Sequence, residues 1–220
     1  MSEFFLQLKR RSKYSTKPNG EFYSYEFFRE HCREEIASDC DGRCVYCDSH
    51  EMEVGGRESM ELDHFRPWSR AEFSHLKNDP NNFHHSCGRC NRLKGSCWPS
   101  THPSNPHDGV AGFIDPFADD RRLYFEVKTD GTLEGKRPPA AYMIKLLQLN
   151  RPLLTLLRLR RMLKAELAAY VEKMDIEIKA VLADGGNLKR EQLAQEWVRF
   201  RELQQLIELC EAPLPSSKKH

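Results

Sequence analysis

Two Cys-x-x-Cys pairs, Cys44-Val45-Tyr46-Cys47 and Cys87-Gly88-Arg89-Cys90, constrain this chain more than any other feature. Each pair can turn in a tight knuckle that aims two sulfurs at one ion, and two knuckles make a closed tetrahedral tetrathiolate site for a structural Zn²⁺. The chain between them, residues 48–86, must then leave the first knuckle and return to the same point. Gly88, next to Cys87, eases the second turn. Buried thiols at coincidental spacing are the bland alternative. A thioredoxin-type redox pair fits less well, because one pair would suffice and no βαβ pattern surrounds it. The eight cysteines are read as reduced, since Met1 to Leu6 is too short for a signal-peptide core and gives way at once to Gln7 and Lys9-Arg10-Arg11. Cys32, Cys40 and Cys97 rank below the paired four as ligands, and Cys210 falls on a helical stripe and is expected in a core. Four thiolates leave no open coordination position, so any chemistry must lie elsewhere.

The stretch between and after the pairs supplies it. Met60-Glu61-Leu62 alternates apolar and polar as a short strand does, and Phe83 to Ser86 is a candidate partner. Cys90 to Lys94 contains good helix formers and stops at Gly95, a plausible C-cap. The reading is strand, loop, strand, helix, with the zinc tying the loop to the helix start. Asp63-His64 at the strand end places a hard oxygen ligand beside a base of near-neutral pKa. Asn91 adds a neutral oxygen on the facing helix. Two protein oxygens and a substrate phosphate suit one Mg²⁺ or Mn²⁺ ion. Arg66, Arg89, Arg92 and Lys94 put positive charge around this point, fit to position backbone phosphates without reading sequence. His84 and His85 stand where apolar strand residues are expected and are left out of the metal shell.

The order Cys-x-x-Cys, Asp63-His64, Asn82, Cys-x-x-Cys-Asn91-x-x-Lys94-Gly95 resembles the tetracysteine branch of the HNH endonucleases, the ββα-metal nucleases, over residues 44–99. The resemblance implies that Asp63 and Asn91 hold the catalytic ion, His64 is the general base, Asn82 braces the loop by hydrogen bonds, and Lys94 sits near a phosphate. It also implies hydrolysis of phosphodiester bonds to a 5′ phosphate and a 3′ hydroxyl. Where the strictest H-N-H pattern has its last histidine, this chain has Asn91. Asp63-His64-Phe65-Arg66-Pro67, Lys94-Gly95-Ser96-x-Trp98-Pro99 and Leu147-x-Leu149-Asn150 with Leu154 and Arg158 further resemble the nuclease subunits of Septu-type anti-phage defence systems. That likeness implies a separate ATPase partner; DNA is the expected substrate, and these residues do not distinguish it from RNA. A non-catalytic zinc-ribbon binding module is the main alternative, but it has no use for Asp63-His64 or Asn91. A zinc deaminase is disfavoured because Ser86 precedes Cys87 and Phe65-Arg66 follows His64.

Around this module the chain divides into three: a basic segment and helix over 1–38, the nuclease module over 39–108, and a hairpin with a helical docking region over 109–220. The expected fold class is α+β, a small ββα-metal module with a four-cysteine zinc site flanked by helices. Phe22, Tyr25, Phe28 and His31-Cys32 recur at helical spacing, and residues 99–109, with three prolines, read as a connector. Leu123 to Val127 with the turn Thr129-Asp130-Gly131 reads as a hairpin. From Ala140 onward, Leu153, Leu156, Leu157, Leu163, Leu167, Tyr170, Val171, Met174, Ile178 and Val181 step by three and four. Asp184-Gly185-Gly186-Asn187 is expected to stop that helix. Leu193, Trp197, Phe200, Leu203, Ile207 and Cys210 mark a second stripe, and both stripes read as packing surfaces. The last residues, Pro213 to His220, read as frayed. Lys+Arg 34 against Asp+Glu 33 gives a net charge of +1, so overall charge alone does not argue for nucleic-acid binding. The basic runs over 1–17 and 151–164 read first as solvated faces. No apolar run is long enough to span a membrane, and the expectation is a soluble cytoplasmic protein.

Overall fold

A computed structural model describes residues 4–184 and 190–211. Gly185 to Asn187 and Pro213 to His220 lie outside the described residues. The chain forms two compact units, one of residues 4–128 and 132–154, the other of residues 129–131, 155–184 and 190–211. The fold is mixed helix and small antiparallel sheets, as the sequence leads one to expect.

In the larger unit a helical stretch comes first: α1 (Tyr25–Phe27), a single π turn (Phe28–Cys32) and α2 (Arg33–Asp39). Ser24 starts it by capping the Phe27 amide. Strand β1 (Met60–His64) then pairs antiparallel with β2 (Phe83–Cys87), with Asp63 opposite His84 and His64 opposite Phe83. Helix α3 (Gly88–Lys94) follows β2 directly and ends at Gly95, whose φ of +51° is the left-handed conformation that glycine accepts without strain. The expected strand, loop, strand, helix order is therefore present. Glu61 and Asp63, two residues apart on β1, share one face, and both meet α3 there, at Asn91 and Lys94.

All five residues of β2 are buried, histidines included. His84 packs its ring on Phe65 at 4.6 Å and near Phe117 at 5.3 Å, and burial drives its pKa well below the usual value. His85 is pushed down to about 4 by burial, and its Nε2 lies 3.4 Å from Glu51. Burial thus disfavours the charged form of both rings.

The hairpin forms as expected from β3 (Phe125–Val127) and β4 (Leu133–Gly135). Helix α4 (Ala140–Leu146) buries Ala140 and Met143, and Leu147, Leu149 and Leu154 are buried after it. These segments share one compact unit with the cysteine pairs. The basic lead is also no solvated tail. Arg10 donates to the Pro80 and Phe83 carbonyls at 3.3 Å, and Arg11 pairs with Asp39 at 2.9 Å. Arg121, buried, donates to Val45 O at 2.8 Å and Leu6 O at 2.6 Å, tying the first knuckle to the N-terminal segment.

Helix α5 (Pro152–Asp184) begins at the end of this unit and runs on in the second, which also holds α6 (Arg190–Glu211). There Leu157, Leu203 and Ile207 are buried, and Tyr170 donates to the Glu196 carbonyl at 2.7 Å. The stripes are only partly used for packing. Val171, Ile178 and Trp197 are exposed, and Cys210 is half-buried rather than in a core. Among the described residues, no helix is long and apolar enough to cross a membrane.

Candidate active site and metal centre

Cys44, Cys47, Cys87 and Cys90 are all buried, with their sulfurs within 4.8 Å of one another. The Cys47–Cys87 separation is 3.9 Å, close to the roughly 3.8 Å edge of a tetrahedron with 2.3 Å Zn–S bonds. The donor set and spacing fit one Zn²⁺. The first knuckle is a turn in which Asp48 N donates to Cys44 O at 2.9 Å and Cys44 N to Ser49 O at 2.9 Å. The second is the β2–α3 junction. Hydrogen bonds from Cys44, Cys47 and Cys90 hold Cys87 below the ordinary thiol range, while burial pushes Cys44 up. Four thiolates around Zn²⁺ carry a net charge of −2. Arg151 answers it, with Nη2 3.9 Å from Cys87 Sγ and 3.8 Å from Cys90 Sγ, and Nη1 3.9 Å from Cys90 Sγ. The sequence places Arg151 in the basic run over 151–164, read there as a solvated face, and nothing in the pattern connects it to either pair. Cys32, Cys40 and Cys97 are not part of the cluster, and burial raises Cys40 to about 12.

Next to this centre, Asp63, His64 and Asn91 line one open cleft of about 310 Å³, together with Tyr25, Trp68 and Arg92. His64 is 7% exposed and boxed by the Tyr25 ring at 4.5 Å and the Phe83 ring at 5.1 Å. Its Nε2 lies 2.8 Å from the Lys77 carbonyl oxygen. A carbonyl only accepts, so Nε2 carries the proton and Nδ1 of the neutral ring keeps its lone pair. Burial lowers the His64 pKa, which favours that neutral form.

Asp63 is buried and held on both oxygens. Tyr46 donates to Oδ2 at 2.5 Å and Lys94 Nζ to Oδ1 at 3.1 Å. Burial raises the Asp63 pKa, against the pull of Lys94 and Tyr46. Lys94 also donates to His64 O at 2.8 Å. At 2% exposure it is a buried partner of Asp63. A lysine before a helix-capping glycine reads as exposed, and only the strand packed against it makes it internal.

Asn82 Oδ1 accepts from Arg66 N at 2.8 Å while its Nδ2 donates to Arg66 O at 2.9 Å. It thereby clamps the chain just after β1. Asn91 Nδ2 donates to Glu61 Oε2 at 2.6 Å. A carboxylate only accepts, so the amide nitrogen faces Glu61 and Oδ1 is turned away from it. Glu61 was not among the residues the sequence singles out, although its position two before Asp63 put it on the same strand face.

The other basic residues divide. Arg66 donates to the Pro103 and Ser104 carbonyls, at 3.1 and 3.4 Å, and so anchors the connector. Arg89 donates to Gln148 at 2.7 Å. Arg92, with a side chain 72% exposed and 3.7 Å from Glu61, is the one of the four that opens onto the cleft.

An oxygen donor set of Asp63 and Asn91 suits a hard divalent cation such as Mg²⁺ or Mn²⁺. Each Asp63 oxygen keeps a second lone pair beyond the bonds described. No curated protein matches the chain. Residues 44–96, from the first cysteine knuckle to just past the α3 cap, match the sequence profile of the HNH endonuclease family, and this matching stretch contains the four cysteines together with Asp63, His64 and Asn91.

Proposed function

We propose that the protein is a metal-dependent endonuclease that hydrolyses phosphodiester bonds in DNA. One observation carries this reading: His64, with its Nε2 held by the Lys77 carbonyl, shares an open cleft with Asp63 and Asn91. A zinc-ribbon binding module needs no such group. His64 Nδ1 accepts the proton of a water molecule that attacks phosphorus in line. Lys94 and Tyr46 hold the Asp63 carboxylate, and Glu61 orients the Asn91 amide. Arg92 draws a backbone phosphate to the rim. Asp63 and Asn91 would hold a divalent ion, which would supply charge stabilisation to the leaving 3′ oxygen. The likeness to Septu-type nuclease subunits extends the proposal to an effector of an anti-phage defence complex with an ATPase partner. The exposed Val171, Ile178 and Trp197 of the helical unit supply an apolar docking face for it.

The test is incubation of the pure protein with supercoiled plasmid and Mg²⁺ or Mn²⁺. Nicked or linear product that disappears with chelator is expected, and no product under any divalent ion overturns the reading. Within the same assay Glu61→Ala should cut about tenfold more slowly, because a hydrogen bond to a charged group is worth about 1.5–3 kcal/mol. It should also need more divalent ion for half-maximal rate. Glu61→Gln should recover most of the loss, since its Oε1 accepts the same N–H. Equal rates for the two variants would remove Glu61 from the site.

A further inference from the structure

Trp68 stands apart from the other aromatic residues around His64. Tyr25 is tied down, its hydroxyl donating to Leu62 O at 2.7 Å, and Phe83 is fully buried. Trp68 is 41% exposed on the wall of the same cleft, with its ring centroid 6.2 Å from that of His64. A large aromatic surface left in water beside a reactive group is costly unless a ligand covers it. The backbone on either side of it is tied into turns. Pro67 precedes it in a turn closed by Arg70 N to Pro67 O at 3.0 Å, and Arg70 NH1 donates to Trp98 O at 2.6 Å. On its other flank the Asn82 clamp fixes Arg66. Lys77 Nζ lies 4.9 Å from the ring centroid, and its backbone carbonyl is the one that orients His64. One cluster therefore sets the base, an aromatic face and a cation beside each other, with Arg92 on the same cleft.

We infer that Trp68 is a stacking platform for an unpaired nucleobase next to the scissile phosphate, so that the cleft takes single-stranded or locally opened nucleic acid in preference to intact duplex. This rests on the nuclease reading above. Every base offers a π face, so the platform selects strand state rather than sequence. In a paired duplex the base faces are covered by their neighbours and cannot reach the indole. Lys77 and Arg92 serve the phosphates on either side of the stacked nucleotide.

The test is equilibrium binding, without added divalent ion, of labelled single-stranded DNA, single-stranded RNA and duplex DNA of one sequence. Stacking on an aromatic side chain is worth about 1–3 kcal/mol per base, so Trp68→Leu should bind single strands about tenfold more weakly. Trp68→Phe should stay within about threefold of wild type, and duplex affinity should barely change in either. In the unaltered protein, 2-aminopurine at the central position of the single strand should be quenched on binding. A preference for DNA over RNA, or the reverse, would identify the source of the unpaired nucleotide. Undiminished single-strand binding by Trp68→Leu overturns the inference, as does equal loss on duplex or an unquenched 2-aminopurine probe. Failure of the nuclease reading would show separately, as binding without cleavage of any strand form.

Discussion

His64→Ala is expected to abolish plasmid cleavage while leaving zinc content and thermal stability close to wild type. A positioned general base contributes about 10²–10⁴-fold, and the variant should lose at least that much, because no other side chain described in the cleft offers an unprotonated nitrogen. Asp63 has both oxygens engaged, and Lys94, its partner, is buried as a hydrogen-bond donor. The four cysteines of the zinc cluster do not include His64, so the loss should not pass through the structural centre. His64→Gln is a sharper version. It keeps a donor toward Lys77 O but offers no nitrogen lone pair, and should be as inactive as the alanine variant. Asn91→Ala and Asp63→Ala should differ in kind, raising the divalent-ion requirement as well as lowering the rate. Wild-type cleavage by His64→Ala under matched metal would remove His64 from the mechanism.

The parts of this architecture that were legible in the sequence are those set by short-range spacing. The cysteine pairs announce their knuckles, Asp130-Gly131 announces the hairpin turn, and Gly95 announces the end of α3. The order strand, loop, strand, helix follows from them. What was not legible depends on which surfaces meet. Lys94 looks exposed from its neighbours and is internal because α3 lies on the Asp63 face of β1. Arg66 looks free and donates to two carbonyls of the connector. His84 and His85 look polar for a strand, yet they are buried rings in an aromatic and acidic surround. Glu61 lies between these cases. The two-residue period of a strand put it beside Asp63 all along, but its contact with Asn91 required the register of β1 against α3. Arg151 falls in the basic run over 151–164, but nothing local points it at the zinc centre, because those sulfurs lie more than sixty positions away.

Cys44→Ser and Cys87→Ser should each lose the zinc and unfold the larger unit, the largest stability effect expected anywhere in the chain. Structural zinc sites contribute apparent binding energies on the order of 10 kcal/mol or more, against a total stability of about 5–15 kcal/mol for a domain. Loss of one thiolate ligand therefore leaves little margin. The loss reaches the active site through geometry. Cys87 is the last residue of β2, and Gly88 begins α3, so release of this knuckle frees the helix that presents Asn91 and Lys94 to β1. The other knuckle carries Tyr46, the hydroxyl partner of Asp63. The checks are metal analysis, thermal melting and cleavage on the same preparations. Cys40→Ala is the control: Cys40 is equally buried but outside the cluster, so that variant should keep its zinc and lose only packing energy. Arg151→Ala should fall between them. It leaves the four ligands in place but removes the cation beside a centre of charge −2, so it should release zinc to a chelator faster than wild type does. Arg151→Lys should restore part of that retention, since it returns the charge without the two-pronged contact to Cys87 and Cys90. Purified protein without zinc, or a Cys87→Ser variant that melts with the wild type, would show that the cysteine cluster is not what holds β2 and α3 together.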